Sequence, residues 1–150
     1  MAGASQNSYT LDANMRLEDG VTTFTTAGGG GIGQVGAADA ILDFGSSAGV
    51  AFTPAAWVTD VDTIEFTTGD ENYHIFYQLS NSATMASGVV SKAALHMGDA
   101  ANNYADDTAD GRVVVGVDNE YKGTVYRYGA IWVLAAGTTA VITVRSFLSR

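Results

Sequence analysis

The chain has no cysteine, a single proline and few charged residues, and each shortage excludes a class of protein. Of its 150 residues, 15% are charged, and its seven Lys and Arg residues are outnumbered by sixteen Asp and Glu. The lack of cysteine excludes a disulfide framework, thiol catalysis and zinc bound by thiolates. The formal charge of -9 repels phosphate backbones and anionic lipid heads, so we expect no binding to nucleic acid or to a membrane surface.

The apolar content is sufficient for one domain with its own core. Hydrophobic residues make up 47% of the chain, and a chain of this length can bury roughly 70% of the surface that its unfolded state exposes. Such a core needs neither a metal nor a disulfide. The low charge content argues against intrinsic disorder. The first ten residues lack the basic and apolar stretches of a secretory signal.

One uncharged run has to be weighed as a membrane span. The run from Tyr128 to Val144 contains no charged residue and reaches the lower length limit for crossing a bilayer. However, Gly137, Thr138 and Thr139 interrupt it, and the residues on each side alternate with the period of a β-strand. We therefore predict a β-hairpin at this position.

The remaining pattern is typical of an all-β protein, because Val, Ile, Thr and aromatic residues are punctuated by Gly, Asn and Asp clusters. We predict a two-sheet antiparallel sandwich, a jelly roll of about eight strands. Residues 17–150 are assigned to this single domain, and residues 1–16 to a flexible N-terminal arm. The predicted strands are 20–26, 40–44, 56–67, 72–80, 88–97, 111–118, 124–135 and 140–148.

The alternation of apolar and polar residues predicts which side chains form the core. A loss of phase between Val58 and Phe66 predicts a β-bulge near Asp60 to Asp62. The residues predicted to face the core are Tyr73, Ile75, Tyr77 and Leu79 in one strand, and Tyr126, Tyr128, Trp132 and Leu134 in another.

Two segments do not resemble strands. Residues 27–36 contain a run of four glycines and have the composition of a mobile loop. Residues 99–110 are rich in Asp and Asn, which indicates a solvated acidic loop.

Short motifs for nucleotide binding and hydrolysis occur without the structural context that they require. Gly31 to Gly36 matches G-x-G-x-x-G, and Gly45 to Gly49, with Ser47 at its centre, matches G-x-S-x-G. Both motifs need a following helix, and neither is followed by an amphipathic pattern of three turns. His74 and His96 show no metal-ligand spacing. We therefore expect no catalytic residue, no metal site and no cofactor, and we predict that the protein is not an enzyme.

A cation site made of acidic side chains is the alternative to plain solvated carboxylates. Residues 106–111 resemble the start of a calcium loop, but Val117 stands where an EF-hand has its glutamate. Carboxylates of this loop, or Asp60 and Asp62, could still form an irregular site.

Two arginines mark a candidate contact surface. If Ala135 pairs with Thr139 in the predicted hairpin, Arg127 and Arg145 project from the same face, away from the core. They then either form ion pairs with nearby acids or contact another subunit, since arginine is enriched at interfaces.

Four segments follow one another along the chain: LDANMRLEDG at 11–20, ILDFG at 41–45, TGDENYHIFYQLSNSATM at 68–85 and LHMGD at 95–99. Their order resembles the capsid cement, or decoration, proteins of tailed bacteriophages. The resemblance extends from Leu11 to Leu148, except that relatives tend to have a shorter Ser/Thr/Ala stretch in place of the glycine run. Its most specific parts are the residues Glu71, Tyr73, Ile75, Gln78 and Ser80, and the later series Gly111, Arg112, Asn119, Tyr126, Arg127, Ala136, Gly137 and Thr138.

This resemblance implies a structural virion protein of jelly-roll type. It would be made in the cytoplasm of the bacterial host, bind the major capsid protein on the outer capsid surface, and bridge neighbouring capsid subunits. A homo-oligomer, a dimer or a trimer, would gain avidity on the lattice, roughly 10² to 10⁴ over a single site.

The N-terminal arm is the first candidate for these contacts, because apolar and aromatic residues occur there in a segment too polar to fold alone. The candidate contact residues are Tyr9, Leu11, Met15, Arg16, Arg127 and Arg145. Two alternatives remain open at this point. One is a carbohydrate-binding β-sandwich module with Trp57 or Trp132 as a stacking platform, and the other is a jelly-roll coat or fibre-base protein.

Overall fold

The computed structural model describes residues 13–45, 55–98 and 111–149, and these ranges are mostly β-strand. Within them the helices are two short 3-10 turns, Ala13–Met15 and Thr26–Gly28, and no helix there is long and apolar enough to cross a membrane. The strands are β1 (Arg16–Asp19), β2 (Phe24–Thr25), β3 (Gly31–Ile32), β4 (Gln34–Val35), β5 (Ala38–Asp39), β6 (Leu42–Asp43), β7 (Ala55–Ile64), β8 (Asn72–Ser80), β9 (Val90–Met97), β10 (Gly111–Val117), β11 (Glu120–Tyr121), β12 (Thr124–Val125), β13 (Tyr128–Ala136) and β14 (Val141–Ser149).

The strands form two five-stranded antiparallel sheets that pack face to face. The first sheet has the order β1-β14-β7-β10, with β2 also paired to β14. The second has the order β3-β13-β8-β9, with β6 also paired to β13. Eight strands are named in these two orders. When these eight are numbered from 1 to 8 along the chain, the order across the first sheet is 1-8-3-6. This is the strand order of a jelly roll, so the predicted fold is confirmed.

The predicted hairpin between β13 and β14 is wrong, because these consecutive strands lie in different sheets. β13 pairs with β8 and β3, whereas β14 pairs with β1 and β7. The segment between them therefore crosses from one sheet to the other. At Gly137 (φ +121°) the chain passes so close to Glu71 that an added Cβ would lie 2.7 Å from its Cα.

The core lies between the two sheets and combines many aliphatic side chains with a few large rings, those of Phe24, Trp57, Tyr73 and Tyr77. The predicted inward face of β8 is confirmed, since Tyr73, Ile75, Tyr77 and Leu79 are fully buried. Trp57 from the opposite sheet packs against Tyr77, with ring centroids 5.9 Å apart.

The predicted inward face of β13 is wrong. Ile131, Val133 and Ala135 are buried, whereas Trp132 and Leu134 lie on the opposite face and are half-buried. Both rows of this strand are apolar, so alternation alone does not identify the inner one. Because aromatic rings of β7 and β8 already fill the interior, the smaller row of β13 fits inside.

The glycine-rich segment is ordered within the fold and is not the predicted mobile loop. It contains the Thr26–Gly28 turn and strands β3 and β4, of which β3 pairs with β13. An added Cβ at Gly33 would collide with the carbonyl oxygen of Leu17 and with Ile131. The glycine composition therefore permits close backbone approach at this edge.

The packed part of the chain begins before residue 17, the predicted start of the domain. Met15 lies in a 3-10 turn and packs against the core, and Arg16 is the first residue of β1. The predictions for Tyr9, for Leu11, for Ser47 and for the acidic loop at 99–110 fall outside the described residues.

Candidate functional site

Three of the seven basic residues converge in one groove on the outer face of the first sheet. The groove has a volume of about 390 Å³ and draws its side chains from β1, β7, β10 and β14. We call it the arginine groove, and its lining residues are Arg16, Glu18, Asp19, Asp60, Arg112, Arg145, Ser146 and Phe147.

Strand pairing brings these residues together. Asp60 lies at the same level as Arg112 on one neighbouring strand and Arg145 on the other. Arg16 is opposite Phe147, and Asp19 is opposite Arg145. Residues from four distant parts of the sequence therefore form a single surface.

Two register shifts shape the groove. The pairing of β7 with β14 passes from Thr63 to Val61 and leaves Asp62 without a register partner. This confirms the predicted bulge near Asp60 to Asp62. A second shift lies between Arg16 and Glu18 in β1. Because a bulge re-aims the side chains beside it, Asp62 can reach Arg145.

Two of the three guanidinium groups already have carboxylate partners. Arg112 donates two hydrogen bonds to Asp60, from Nε to Oδ1 at 2.6 Å and from Nη2 to Oδ2 at 2.8 Å. The Nε of Arg145 lies 3.0 Å from Oδ2 of Asp62. Asp60 and Asp62 therefore bind arginines, which argues against the cation site considered for them.

Arg16 differs from the other two arginines. The ion pairs found among residues 13–45, 55–98 and 111–149 do not include it. It lies beside Phe147, a buried side chain that also has the Arg112 guanidinium 6.0 Å from its ring centroid. The groove thus offers a positive charge and an apolar floor to an incoming group.

The acidic end of the groove is bonded to the backbone. Glu18 is buried and accepts hydrogen bonds from the backbone N–H groups of Gln34 (2.7 Å) and Gly20 (3.1 Å). Burial raises the pKa of Glu18 in spite of these bonds. The N–H of Gly36 donates to Asp19 at 2.8 Å and lowers the pKa of that carboxyl. These bonds attach the glycine-rich segment to β1.

Arg127 is not part of this groove, so the expectation that it shares a face with Arg145 is wrong. It precedes β13 in the second sheet and forms a two-pronged ion pair with Asp43, both distances being 2.9 Å. Its guanidinium also lies 5.2 Å from the ring centroid of Tyr128. The contact with Arg127 holds the pKa of Asp43 below its usual value.

The residues that carried the family resemblance have structural contacts in this fold. The side chain of Glu71 accepts hydrogen bonds from Gly69 N (2.8 Å), from Thr68 N (3.0 Å) and from the hydroxyl of Thr139 (2.7 Å). The adjacent Asp70 accepts bonds from Thr138 N (3.0 Å) and its Oγ1 (2.6 Å). We call this cluster of Asp70, Glu71 and their partners the carboxylate clasp.

The carboxylate clasp fixes the crossing between the two sheets. Hydrogen bonds from Thr138 and Thr68 stabilise the charged form of Asp70 and lower its pKa to about 2, although burial acts in the opposite direction. Burial also acts to raise the pKa of Glu71, but hydrogen bonds from Thr68 and Thr139 outweigh it and lower that pKa to about 2. Next to it, the hydroxyl of Tyr73 accepts the N–H of Val141 at 3.1 Å.

The outer face of the second sheet carries a row of rings. His74 and His96 lie opposite each other on β8 and β9, with ring centroids 4.2 Å apart. Phe76 stacks with His74 at 5.8 Å and is paired with Trp132 on β13. A shallow depression beside these rings is lined by Phe76, Gln78, Met85, Val89, Ser91 and Trp132.

Arg16 and Arg145 were predicted as contact residues, but Arg112 and Phe147 were not predicted as their partners in the groove. Phe147 lies opposite Arg16 through the pairing of β14 with β1, and Arg112 arrives through the pairing of β10 with β7, neither of which a local pattern reveals. In the part of the chain that the structure describes, no three His, Asp or Glu side chains are grouped to hold a metal ion.

No family model, curated protein or solved structure matches the chain significantly.

Proposed function

We propose that this protein is a structural, non-enzymatic component of a tailed-bacteriophage virion, which binds the outer surface of the capsid and bridges neighbouring capsid subunits. The observation that carries the proposal is the convergence of Arg16, Arg112 and Arg145 in one groove, beside the strand that follows the N-terminal segment. The resemblance of the sequence to capsid decoration proteins supplies the partner.

The arginine groove suits a partner that presents carboxylates and a small apolar group. The lining of the groove balances its three arginines against Glu18, Asp19 and Asp60, so it is less negative than the chain as a whole, whose formal charge is -9. Arginine forms paired hydrogen bonds with carboxylates and packs on aromatic rings. Among residues 13–45, 55–98 and 111–149, Arg16 has no ion pair to break before it binds such a partner, whereas Arg112 and Arg145 would first have to leave Asp60 and Asp62.

The contact need not be strong at each site. A capsid repeats the same surface many times, so any linked pair of copies gains from avidity. Residues 1–12 precede the groove in the chain, and we assign the contact roles of Tyr9 and Leu11 to this segment.

Replacing Arg16 by Gln is expected to weaken binding to purified shells roughly tenfold, because a hydrogen bond to a charged group contributes about 1.5–3 kcal/mol. Lys122→Gln is the matched control, since it also neutralises one positive charge but lies outside the groove. Each protein is added to purified shells that lack it, and its occupancy on the shells is measured by co-sedimentation and by cryo-electron microscopy. Equal occupancy for Arg16→Gln and the unmodified protein would remove the groove from the contact.

Deletion of residues 1–12 tests the N-terminal segment independently of the groove, because Met15 and Arg16 remain in the chain. The truncated protein is expected to keep the melting temperature of the full chain and to bind shells more weakly. Failure of the full chain itself to bind any capsid would overturn the proposed function.

One observation favours carbohydrate binding as a second candidate function. Trp132 lies on the outer face, near Phe76 and Gln78, where a sugar ring could stack on an indole. Trp57 is excluded from this role because it is fully buried and its indole N–H donates to Ser146.

If the second candidate is correct, a glycan array shows binding that Trp132→Ala abolishes, while shells bind nothing. If the capsid proposal is correct, Trp132→Ala leaves shell occupancy unchanged. Binding of the unmodified protein and of Trp132→Ala, each measured on the glycan array and on the shells, therefore distinguishes the two candidate functions.

A further inference from the structure

The two sheets of the sandwich have four edges, formed by β1 with β2, by β3 with β6, by β9 and by β10, and three of these are protected against pairing with another chain. β3 has two residues. β1 has four, with a register shift and charged side chains. Short length, bulges and charge are the usual ways in which proteins block an exposed sheet edge.

The edge strand β9 is longer but is protected by a bulge. Its pairing with β8 passes from Ala93 to Ser91 and leaves Lys92 without a register partner. The Lys92 ammonium then lies 2.9 Å from Asp118 and donates to the carbonyl of Glu120 at 2.6 Å. A lysine placed at a bulge interrupts the row of backbone groups that another strand would need.

β10 is neither short nor bulged, and it carries one charged side chain. Its seven residues pair with β7 in unbroken register, from Gly111 opposite Val61 to Val117 opposite Ala55. The strand contains no proline and no lysine, and its single charge, Arg112, is neutralised by Asp60. Among the described strands, none pairs with its second edge.

The apolar residues of β10 are also more accessible than those of an inner strand. Val114 is 38% exposed on the outer face, and Val113 and Val115 on the inner face are half-buried. A long, regular, apolar edge strand is a template for strand addition.

We propose that β10 is a dimerisation strand, which pairs with β10 of a second copy of this chain, antiparallel and about a two-fold axis at Val114. In this register Val114 faces its own copy, and Val113 faces Val115. Arg112 faces Gly116, whose missing side chain leaves room for the arginine stem. The first sheet then continues across the dimer, and the half-buried valines become part of an extended core.

The sequence of the strand favours a second copy over an unrelated strand. In the run Gly111-Arg112-Val113-Val114-Val115-Gly116-Val117, Val113 and Val115 flank Val114. A two-fold axis at Val114 therefore sets apolar side chains opposite apolar ones, and each contact occurs twice, as in an isologous interface. The one charge on the strand is already paired within its own chain, so the two-fold axis brings no unpaired like charges together within the seven residues.

The first test is the mass of the purified protein in solution without capsids, so that its result is independent of the proposed function. We expect a dimer by light scattering and sedimentation. Val114→Lys is expected to weaken the dimer roughly tenfold or more, because two ammonium groups would face each other across the axis. Val21→Lys is the matched control, since Val21 is 80% exposed and lies outside β10.

A cysteine scan gives the second test and does not depend on how Val114→Lys folds. The chain has no cysteine, so Val114→Cys introduces the single thiol of the molecule. In the proposed register the two Cα atoms at position 114 lie about 4.5–5.5 Å apart, which a disulfide can span. Mild oxidation should cross-link Val114→Cys and leave Val21→Cys monomeric.

Salt dependence adds a further readout. Two bodies of charge -9 repel each other, so dimerisation through backbone and apolar contacts should strengthen as salt rises. A contact made by the arginine groove would weaken instead. A monomeric wild-type protein, or a dimer that Val114→Lys and Val21→Lys leave equally intact, would overturn the proposal.

Discussion

The protein is expected to lose stability as the pH falls from about 4.5 towards 2, chiefly through the carboxylate clasp. The pKa values of Asp70 and Glu71 are lowered from 3.8 and 4.5 to about 2 in the folded state. A carboxyl group whose folded pKa lies below its unfolded pKa stabilises the fold while it is ionised. This contribution is complete above the unfolded values and disappears as protonation reaches the folded ones.

The measurement is urea unfolding at a series of pH values between 2 and 7. The double variant Asp70→Asn, Glu71→Gln should be less stable at pH 7 and should show a much flatter decline below pH 4.5. Glu120→Gln is the control, because Glu120 is an exposed residue of the small β11–β12 pair and lies outside the clasp. If the double variant keeps the full acid-dependent decline, other carboxylates cause it.

Glu18 modifies this picture in the opposite direction. Burial raises its pKa, so its ionised form costs stability and protonation on acidification relieves that cost. This gain arises mainly above pH 4.5, before the clasp begins to be protonated. The total loss of stability between pH 7 and pH 2 should therefore be larger in a Glu18→Gln variant, provided that the variant keeps the backbone contacts with Gln34 and Gly20.

Replacing Trp57 by Ala is expected to reduce the free energy of unfolding by about 3–5 kcal/mol. The side chain is fully buried in the core, contacts Tyr77, and donates its indole N–H to Ser146 at 2.8 Å. Such a loss is a large part of the roughly 5–15 kcal/mol that stabilise a domain. The variant should therefore unfold at a clearly lower urea concentration than the unmodified protein.

Tryptophan fluorescence measures this effect directly, because the chain has two tryptophans and Trp132 remains as the reporter. Val21→Ala serves as the control, since an exposed position should change stability by no more than about 0.5 kcal/mol. A loss below about 1 kcal/mol for Trp57→Ala would mean that the core repacks around the cavity.

The parts of the fold that could be predicted from the sequence are those in which one strand carries its own information. In β8, apolar and polar residues alternate cleanly, and the buried row Tyr73, Ile75, Tyr77 and Leu79 was identified correctly. The bulge at Asp62 was visible because it shifts the apolar phase within a single strand.

The incorrect predictions concern features that depend on contacts between strands far apart in the sequence. In β13 both rows are apolar, and the inner one was decided by Trp57 and Tyr77 on other strands. The crossing after β13 was mistaken for a hairpin because its bonds to Asp70 and Glu71 join residues that are far apart in sequence.

The candidate site was predictable in its members but not in its assembly. Arg16 and Arg145 were singled out as contact residues, yet their meeting depends on the pairing of the first strand with the last. The same non-local pairing adds Arg112 through β7. Arg127 was grouped with Arg145 only through the incorrect hairpin.

The fold also gives a reason for the motif that carried the family resemblance. Glu71 and Tyr73 bond to the backbone near the sheet crossing, and Ser80 donates to the carbonyl of Ser87 at 2.6 Å. Asn119 donates to the carbonyl of Tyr126 at 2.8 Å. These positions therefore hold turns and the sheet crossing in place.

The edge strand β1 limits how far an assembly of this molecule can grow. A sheet that could be extended at both ends would add copies without end and form a fibre. The first sheet ends in β10 on one side and in β1 on the other, and β1 is short, charged and irregular in register. If β10 pairs with β10 of a second copy, both remaining ends of the joined sheet are blocked, and the assembly closes at two copies.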